Sequence, residues 1–293
     1  MILFARNVQS PAQLRALTTT LRRLLPPNAV LMVDQEGGRV ARLRPPHWRA
    51  HPPAAKLRTL RTAWLTGALI GLQCVEAGFD VVAAPVLDLA IPGAGAAIGD
   101  RAFAEDAATV ARLGRAYAAG LLAAGVQPVM KHAPGHGRAR VDSHFELPRV
   151  EANHLDADIL PFALNTDLPW AMSAHIVYPA WDPALPATLS PAVIGAIIRG
   201  RIGFEGVLVT DDIAMKALSG TPADLALQAL AAGCDVALYC SGELAPTANL
   251  LERCPPLTTS AVARLAAARS LAARRRTPLD EAAIATERDR LLT

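Results

Sequence analysis

The stretch Pro128–His144 reads P-V-M-K-H-A-P-G-H-G-R-A-R-V-D-S-H. An apolar run typical of a buried strand leads directly into a segment with one lysine, three histidines and one aspartate. Of the 29 lysines and arginines in the chain, only three are lysines (Lys56, Lys131 and Lys216). A lysine in so arginine-rich a chain indicates a position that needs a compact ammonium. The order of a strand followed by a polar end suggests a barrel, because loops after barrel strands hold the active sites.

The same order recurs along the chain, where short apolar runs alternate with longer segments of helical periodicity. Seven strands are predicted: Ile2–Arg6, Val30–Asp34, Asp80–Pro85, Pro128–His132, Ala171–Val177, Val207–Asp211 and Asp235–Cys240. The predicted helices are Pro11–Leu25, Lys56–Ala77, Glu105–Ala124, Leu155–Leu164, Pro191–Arg201, Pro222–Ala232, Glu243–Glu252, Thr259–Arg275 and Leu279–Leu292. Strands that alternate with helices predict a parallel sheet.

The fold class expected from this pattern is α/β. We predict a TIM-type (β/α)8 barrel that forms a single domain over residues 1–293, with seven of the eight strands visible. A doubly wound sheet fits the same alternation. No G-x-G-x-x-G follows a predicted strand, which weakens the dinucleotide-binding form of that alternative.

Composition narrows the function classes. The net charge is +3 and aromatic residues make up 4% of the chain, so neither a nucleic-acid partner nor a membrane partner is expected. The four cysteines lack the C-x-x-C spacing of a zinc site, so neither a metal nor a disulfide framework is predicted. A cytoplasmic location is the default expectation for a sequence without a leader-like start.

Polar side chains lie at or near the carboxyl ends of five of the predicted strands. They include Asp34, Asp88, Lys131 with His132, His175, and Asp211 with Asp212. In a barrel these strand ends meet at one mouth, so the sequence predicts one polar site there.

Several motifs resemble family-3 glycoside hydrolases, and most of all the bacterial β-N-acetylhexosaminidases of peptidoglycan recycling. They are V-D-Q-E-G-G-R-V-A-R, I-G-D-R-A-F, K-H-A-P-G-H-G joined to D-S-H, M-S-A-H-I-V-Y-P and G-F-E-G-V-L-V-T-D-D-I-A-M. The resemblance extends from Ile2 to about Cys240, with the motifs in the family's order.

The resemblance implies a role for each matching residue. Asp211 matches the family's nucleophile, His144 its acid/base and Asp142 the carboxylate that pairs with that histidine. The residues implied to hold the N-acetylglucosamine unit are Asp34, Arg42, Arg101, Lys131, His132 and, in a less defined role, His175.

The chemistry of these side chains is consistent with those roles. A retaining glycosidase needs a carboxylate nucleophile and a group that first donates and later accepts a proton. Histidine suits the second role because its unperturbed pKa lies close to neutral pH. Gly135 and Gly137 make the intervening loop bendable, so we expect His144 to swing in with substrate.

Structural roles remain open for several of these residues. Asp211 could cap the turn that follows it, and Asp34 and Arg42 could form a structural ion pair. His132 could be a core histidine, while Glu36 and Arg39 could serve loop structure alone.

The expected function is a retaining exo-β-N-acetylglucosaminidase without a cofactor, acting as a monomer on muropeptides such as N-acetylglucosaminyl-anhydromuramic acid species. The alternatives are a phosphorylase of the same fold, a binding protein without activity, and a metal-dependent hydrolase. The last would use His132, His136, Asp142 and His144. The family pattern carries a strand and a helix before the segment at Ile2. Either a further N-terminal segment precedes Met1, which we expect, or the barrel lacks its first strand and helix.

Overall fold

A computed structural model describes residues 1–152 and 154–293. Seven parallel strands form one sheet in chain order, and each strand pairs with the next. They are β1 (Ile2–Leu3), β2 (Met32–Val33), β3 (Val81–Val82), β4 (Gln127–Ala133), β5 (Trp170–Ser173), β6 (Val207–Asp212) and β7 (Val236–Leu238). The predicted parallel α/β sheet and its seven strands are confirmed, and the sheet curls in the manner of a TIM-type barrel.

Helices connect the strands and complete the chain. They are α1 (Pro11–Leu24), α2 (Leu60–Glu76), α3 (Ala107–Ala124), α4 (Asp156–Ala163), α5 (Pro222–Ala232), α6 (Leu244–Arg253), α7 (Thr259–Arg275) and α8 (Glu281–Leu292), with a π-helix at Val193–Arg201 between β5 and β6. The Ser10 side chain accepts from the Gln13 backbone N–H at the start of α1, as the Ser-Pro signal predicts. Gly125 ends α3 with a φ of 102°, a left-handed conformation that favours glycine.

Three of the strands are much shorter than predicted. Each of β1, β2 and β3 has two residues, whereas β4 has seven, all of them buried. After β3 the pairing becomes irregular but continues: Val86 forms an isolated parallel bridge with Lys131, whose backbone N–H donates to the carbonyl of Pro85 at 3.1 Å. Irregular pairing of this kind makes the strand shorter than the apolar run.

The inside of the curled sheet is filled by apolar side chains from its strands. Met32, Val81, Val129 and Val209 belong to this interior cluster, and Ala268 of α7 completes it. Helix α7 also contacts segments that precede strands: the Arg264 side chain binds Asp235 and the carbonyl of Glu205. These contacts place α7 across the end of the sheet opposite to the polar loops.

Strands β1 and β7 are the two ends of the sheet. Ile2 and Leu238 both pack against the interior cluster, so the sheet edges approach each other through side chains. The guanidinium of Arg6 donates to the carbonyl oxygen of Cys240 at 2.7 Å and bridges the two edges. The edges are thus joined by a side chain where a closed barrel would have a backbone ladder.

Helix α8 packs against α2 through a buried polar contact. Nη1 of Arg288 donates to Nδ1 of His51 at 2.9 Å, and Nε2 of His51 lies 2.9 Å from Oε1 of Gln73. Burial lowers the pKa of His51 to about 4. In the described part of the chain, none of the helices combines the length and the apolar character needed to cross a membrane.

Candidate active site

A cavity of about 230 Å³ lies at the end of the sheet where the polar loops follow the strands. Its polar lining comprises Asp34, Glu36, Arg39, Arg42, Arg101, Lys131, His132, His136, Asp142, Ser143, His144, Asp211 and Asp212. The structure therefore brings together eight of the nine predicted site residues, all except His175. The volume lies below that of pockets for drug-sized ligands and suits a single small polar molecule.

Lys131 is buried between two carboxylates on one wall of this cavity. Its Nζ lies 3.0 Å from Oδ1 of Asp34 and 2.6 Å from Oε1 of Glu36. Burial disfavours the charged lysine, but the two carboxylates outweigh it and raise its pKa above the ordinary value. Lys131 is therefore a fixed ammonium at a strand end, as its rarity in the sequence indicates.

Glu36 is one of the residues for which the sequence left a loop role open. Its carboxylate accepts from Nε and Nη2 of Arg101 at 2.9 and 2.8 Å. Burial opposes the ionised form, yet Lys131 and Arg101 hold the pKa of Glu36 well below its usual range. Glu36 thus carries the negative charge that keeps two cations at the cavity, which gives it more than a loop role.

Asp34 and Arg42 form the ion pair that was considered for them, with Oδ2 and Nη2 3.2 Å apart. Both side chains also line the cavity, and about a fifth of each is exposed, 17% for Asp34 and 22% for Arg42. The buried Nε of Arg42 has no hydrogen-bond partner among the described residues. The ion pair therefore forms part of the cavity wall, and Nε of Arg42 can still donate a hydrogen bond.

His132 is oriented by a residue to which the sequence assigned no role. Nδ1 of His132 lies 2.6 Å from Oδ2 of Asp88, which is fully buried, and the backbone N–H of His136 donates to Oδ1 of Asp88 at 2.6 Å. Burial opposes ionisation of Asp88, but His132 and His136 lower its pKa below the ordinary value. Its position after a predicted strand was a signal, but its partner lies 44 positions further along the chain.

Asp211 lies at the end of β6 and lines the cavity. Burial opposes its charge, but His132, His175 and the backbone N–H of Asp212 lower the pKa of Asp211 to about 2. Asp212, rather than Asp211, caps the turn that follows: its Oδ1 accepts from the backbone N–H groups of Ala214 and Cys240, each at 2.9 Å. Asp211 is therefore an ionised carboxylate that faces the cavity.

His175 lies beneath the cavity, outside the residues that line it, and its side chain is fully buried. Its Nε2 lies 3.0 Å from the carbonyl oxygen of Asp212, and Nδ1 lies 2.8 Å from the Thr188 hydroxyl. A carbonyl only accepts, so Nε2 of His175 carries a proton and donates it to Asp212. Burial lowers the pKa of His175, against the effect of Asp211. The structure thus places His175 under the Asp211–Asp212 turn, which differs from the expected sugar contact.

Asp142 and His144, which also line the cavity, form a hydrogen-bonded dyad. Oδ1 of Asp142 lies 2.7 Å from Nδ1 of His144 and also accepts from the backbone N–H of His144 at 2.9 Å. Burial opposes ionisation of Asp142, but these two hydrogen bonds lower its pKa. The His144 side chain is 66% exposed, so its other ring nitrogen is open to a ligand in the cavity.

The glycines of the loop before this dyad permit close packing as well as bending. Gly135 has a φ of +138°, and a Cβ at Gly137 would lie 2.4 Å from the carbonyl oxygen of Leu89. A Cβ at Gly95 would lie 2.7 Å from the carbonyl oxygen of Arg140. The loop is therefore packed tightly against residues 89–95, and the glycines are required by that contact.

The metal-dependent alternative finds no converging ligand set in residues 1–152 and 154–293, where no three His, Cys, Asp or Glu side chains are grouped as metal ligands. His132 and His144 are each oriented by a contact of Nδ1 with its own carboxylate, Asp88 and Asp142. Burial and the neighbouring His132 lower the pKa of His136 to about 4, so this buried ring is neutral.

The site combines an ionised carboxylate at one strand end, a His–Asp dyad on a loop and several charged side chains held by ion pairs. On a curled parallel sheet, this combination is typical of a barrel hydrolase that acts on a polar substrate. Residues 1–268 match the Glycosyl hydrolase family 3 N terminal domain. The chain belongs to glycoside hydrolase family 3.

Its relatives in sequence and structure agree. A beta-hexosaminidase of Alkalilimnicola ehrlichii is 42% identical over 258 residues, which are 82% of this chain and 73% of that protein. NagZ from Neisseria gonorrhoeae, solved in complex with N-trifluoroacetyl-D-glucosamine, superimposes with a TM-score of 0.82 at 30% identity and covers 94% of this chain and 90% of its own. A family 3 beta-N-acetylglucosaminidase from Paenibacillus gives a TM-score of 0.84 at 31% identity, over 95% of this chain and 57% of that longer one.

Proposed function

We propose that the protein is a retaining exo-β-N-acetylglucosaminidase that removes N-acetylglucosamine from peptidoglycan-derived muropeptides through a covalent glycosyl–Asp211 intermediate. The names of its relatives support a β-N-acetylhexosaminidase. The observation that carries the proposal is one small cavity lined by both the ionised Asp211 and the exposed ring of His144.

In the first step, an oxygen of the Asp211 carboxylate attacks the anomeric carbon and the bond to the leaving oxygen breaks. The His144 imidazolium gives its proton to that oxygen, so the leaving group departs as an alcohol. In the second step, neutral His144 takes a proton from water, whose oxygen attacks the anomeric carbon and releases the Asp211 carboxylate. Asp142 stabilises the His144 imidazolium, which is present before the first step and after the second, and holds the ring in one orientation.

The charged wall supports recognition of the sugar. Asp34 offers carboxylate oxygens to sugar hydroxyl groups, whereas Lys131, Arg42 and Arg101 offer N–H donors, and all four are held by ion pairs before the sugar arrives. Such pre-positioned groups reject a sugar that lacks the matching hydroxyl, because their remaining hydrogen-bonding capacity would then stay unused. The small cavity favours removal of one terminal sugar at a time, the exo mode.

Hydrolysis of 4-nitrophenyl β-N-acetylglucosaminide, followed by proton NMR, tests this proposal. Initial release of the β-anomer of N-acetylglucosamine is expected, since two inversions at the anomeric carbon retain its configuration. Initial release of the α-anomer, or no turnover by folded protein, would contradict it.

Phosphorolysis is the second candidate, and the histidine in the acid/base position favours it. A neutral histidine does not repel an incoming phosphate anion, whereas a carboxylate base would. Turnover in phosphate buffer should give N-acetylglucosamine if water is the acceptor and N-acetylglucosamine 1-phosphate if phosphate is. The product therefore decides between the two.

A further inference from the structure

A second cavity, of about 420 Å³, is lined in part by the loop that carries the His144–Asp142 dyad, through Arg138 and Arg140. Three arginines line it, Arg138, Arg140 and Arg149, against a single acidic side chain, Glu151. The rest of its lining is apolar or glycine, including residues 91–94. Such a lining provides hydrogen bonds and positive charge for an anion.

Two of the three guanidiniums are held in place from one side. Nε of Arg138 lies 2.8 Å from Oδ2 of the buried Asp158, and Nε of Arg149 lies 3.3 Å from Oε1 of Glu151. Arg140 is exposed and forms no ion pair with any residue of 1–152 or 154–293. Arg138 and Arg149 are thus oriented through their Nε atoms, and the guanidinium of Arg140 leaves positive charge for a ligand.

The cavity and the dyad share one loop, because Arg138 and Arg140 precede Asp142 and His144 in it. A proton donor must lie beside the leaving oxygen, so the leaving group passes close to His144. Arg140 is four residues before His144, and an extended chain spans at most about 3.6 Å per residue, so their Cα atoms are within about 14 Å. The backbone N–H of Gly95 donates to the carbonyl of Ala139 at 2.9 Å and joins the cavity wall to the dyad loop.

We infer that this arginine cavity, defined by Arg138, Arg140 and Arg149, binds carboxylates of the leaving group. The inference rests on the proposed function, because the leaving group of a muropeptide carries peptide carboxylates whereas that of an aryl glycoside is neutral. Arginine is suited to this task because its planar fork matches a carboxylate with two parallel hydrogen bonds. The cavity then selects among substrates that share the same N-acetylglucosamine unit.

The test compares kcat/KM for N-acetylglucosaminyl-anhydromuramyl peptide with kcat/KM for 4-nitrophenyl β-N-acetylglucosaminide. In Arg140→Glu the peptide-to-aryl ratio should fall about tenfold, and Arg140→Lys should retain most of it. Arg112→Glu, an equal charge change on the outer face of α3, should keep the wild-type ratio.

A third substrate is the same muropeptide with its carboxylates converted to amides. In the wild-type protein, its kcat/KM relative to that of the aryl substrate should be lower than for the carboxylate form. An unchanged ratio in Arg140→Glu, an equal change in Arg112→Glu, or full preference for the amidated peptide would each overturn the inference. Failure of the wild-type protein to release N-acetylglucosamine from the aryl substrate would instead contradict the proposed function, which keeps the two outcomes distinct.

Discussion

Nδ1 of His132 lies 2.6 Å from Oδ2 of Asp88, and this buried contact sets the orientation of a ring in the wall of the active site. The backbone N–H of His136 donates to the other oxygen of the same carboxylate at 2.6 Å. One aspartate thus fixes both the strand end that carries His132 and the start of the loop that carries the dyad.

Replacement of Asp88 by asparagine should therefore impair catalysis. With its oxygen facing His136 N–H, the amide nitrogen of Asn would face Nδ1 of His132 and force the other tautomer. We expect kcat/KM on the aryl substrate to fall about 10- to 100-fold, the usual effect of removing such an orienting partner. Asp167→Asn, in a surface pair with Arg115, is the matched control. Equal kinetics of Asp88→Asn and wild type would contradict this role.

Asp211→Asn should remove the nucleophile and lower kcat by about three orders of magnitude or more. Added azide should restore turnover in Asp211→Ala and give the glycosyl azide of α configuration, because only one inversion then occurs. Asp212→Asn serves as the neighbouring control: its Oδ1 accepts two backbone N–H groups, and asparagine retains that oxygen. Similar losses in both Asn variants would argue against Asp211 as the nucleophile.

The pKa of about 2 for Asp211 has a consequence for the pH profile. The lowered pKa means that the carboxylate remains ionised until the pH falls to about 2, so it should not produce an acid limb in kcat/KM near neutral pH. His144→Ala should slow an activated aryl glycoside only modestly, because that leaving group needs little protonation. His144→Ala should slow substrates with poor leaving groups far more, and a uniform effect on all leaving groups would contradict a proton-donor role.

Gly137→Ala should disturb the dyad loop through the backbone of Leu89, since the new Cβ would lie 2.4 Å from a carbonyl oxygen. We expect a loss of about 1–3 kcal/mol in the free energy of unfolding, typical of overpacking, together with a lower kcat. Gly195→Ala is the control, because no atom lies within 4 Å of its Cβ position and the residue is helical. Urea unfolding and steady-state kinetics measure both effects. Wild-type behaviour of Gly137→Ala would show that the loop tolerates displacement.

Acid should loosen the contact between α8 and α2 through His51. Its pKa is about 4 in the folded protein against an ordinary 6.5, because the ring is buried and Nδ1 faces Arg288, while the hydrogen bond to Gln73 opposes part of the shift. The unfolded chain therefore binds the proton more readily. Stability should fall as the pH drops from about 6.5 to 4, by up to about 1.4 kcal/mol per pH unit, and should be unaffected by this group above that range.

Hydrogen exchange of α8 at pH 7 and pH 5, together with urea unfolding, checks this behaviour. His51→Gln should flatten the pH dependence, whereas His47→Gln on the surface should leave it as in wild type. An unchanged slope in His51→Gln would assign the acid sensitivity to other groups.

The sequence allowed the strand order and the general location of the site to be predicted because both depend on local patterns. A strand buried on both faces is a continuous apolar run, so β4 and β6 were recognised almost to the residue. The polar ends of these runs indicated which side chains meet. The strand limits of β1 to β3 could not be predicted, because pairing with a neighbour, rather than composition, decides where a strand ends.

Local patterns of apolar and polar residues were enough to predict an α/β chain with parallel strands and with carboxylate and histidine side chains at the strand ends. The division of tasks among those side chains is visible only in the folded protein. Folding placed Asp88 against His132, turned His175 to the Asp212 carbonyl and set Glu36 between two cations. The reason is physical: hydrogen bonds and charge pairs act over a few ångströms in space, and the residues that form them lie tens of positions apart along the chain.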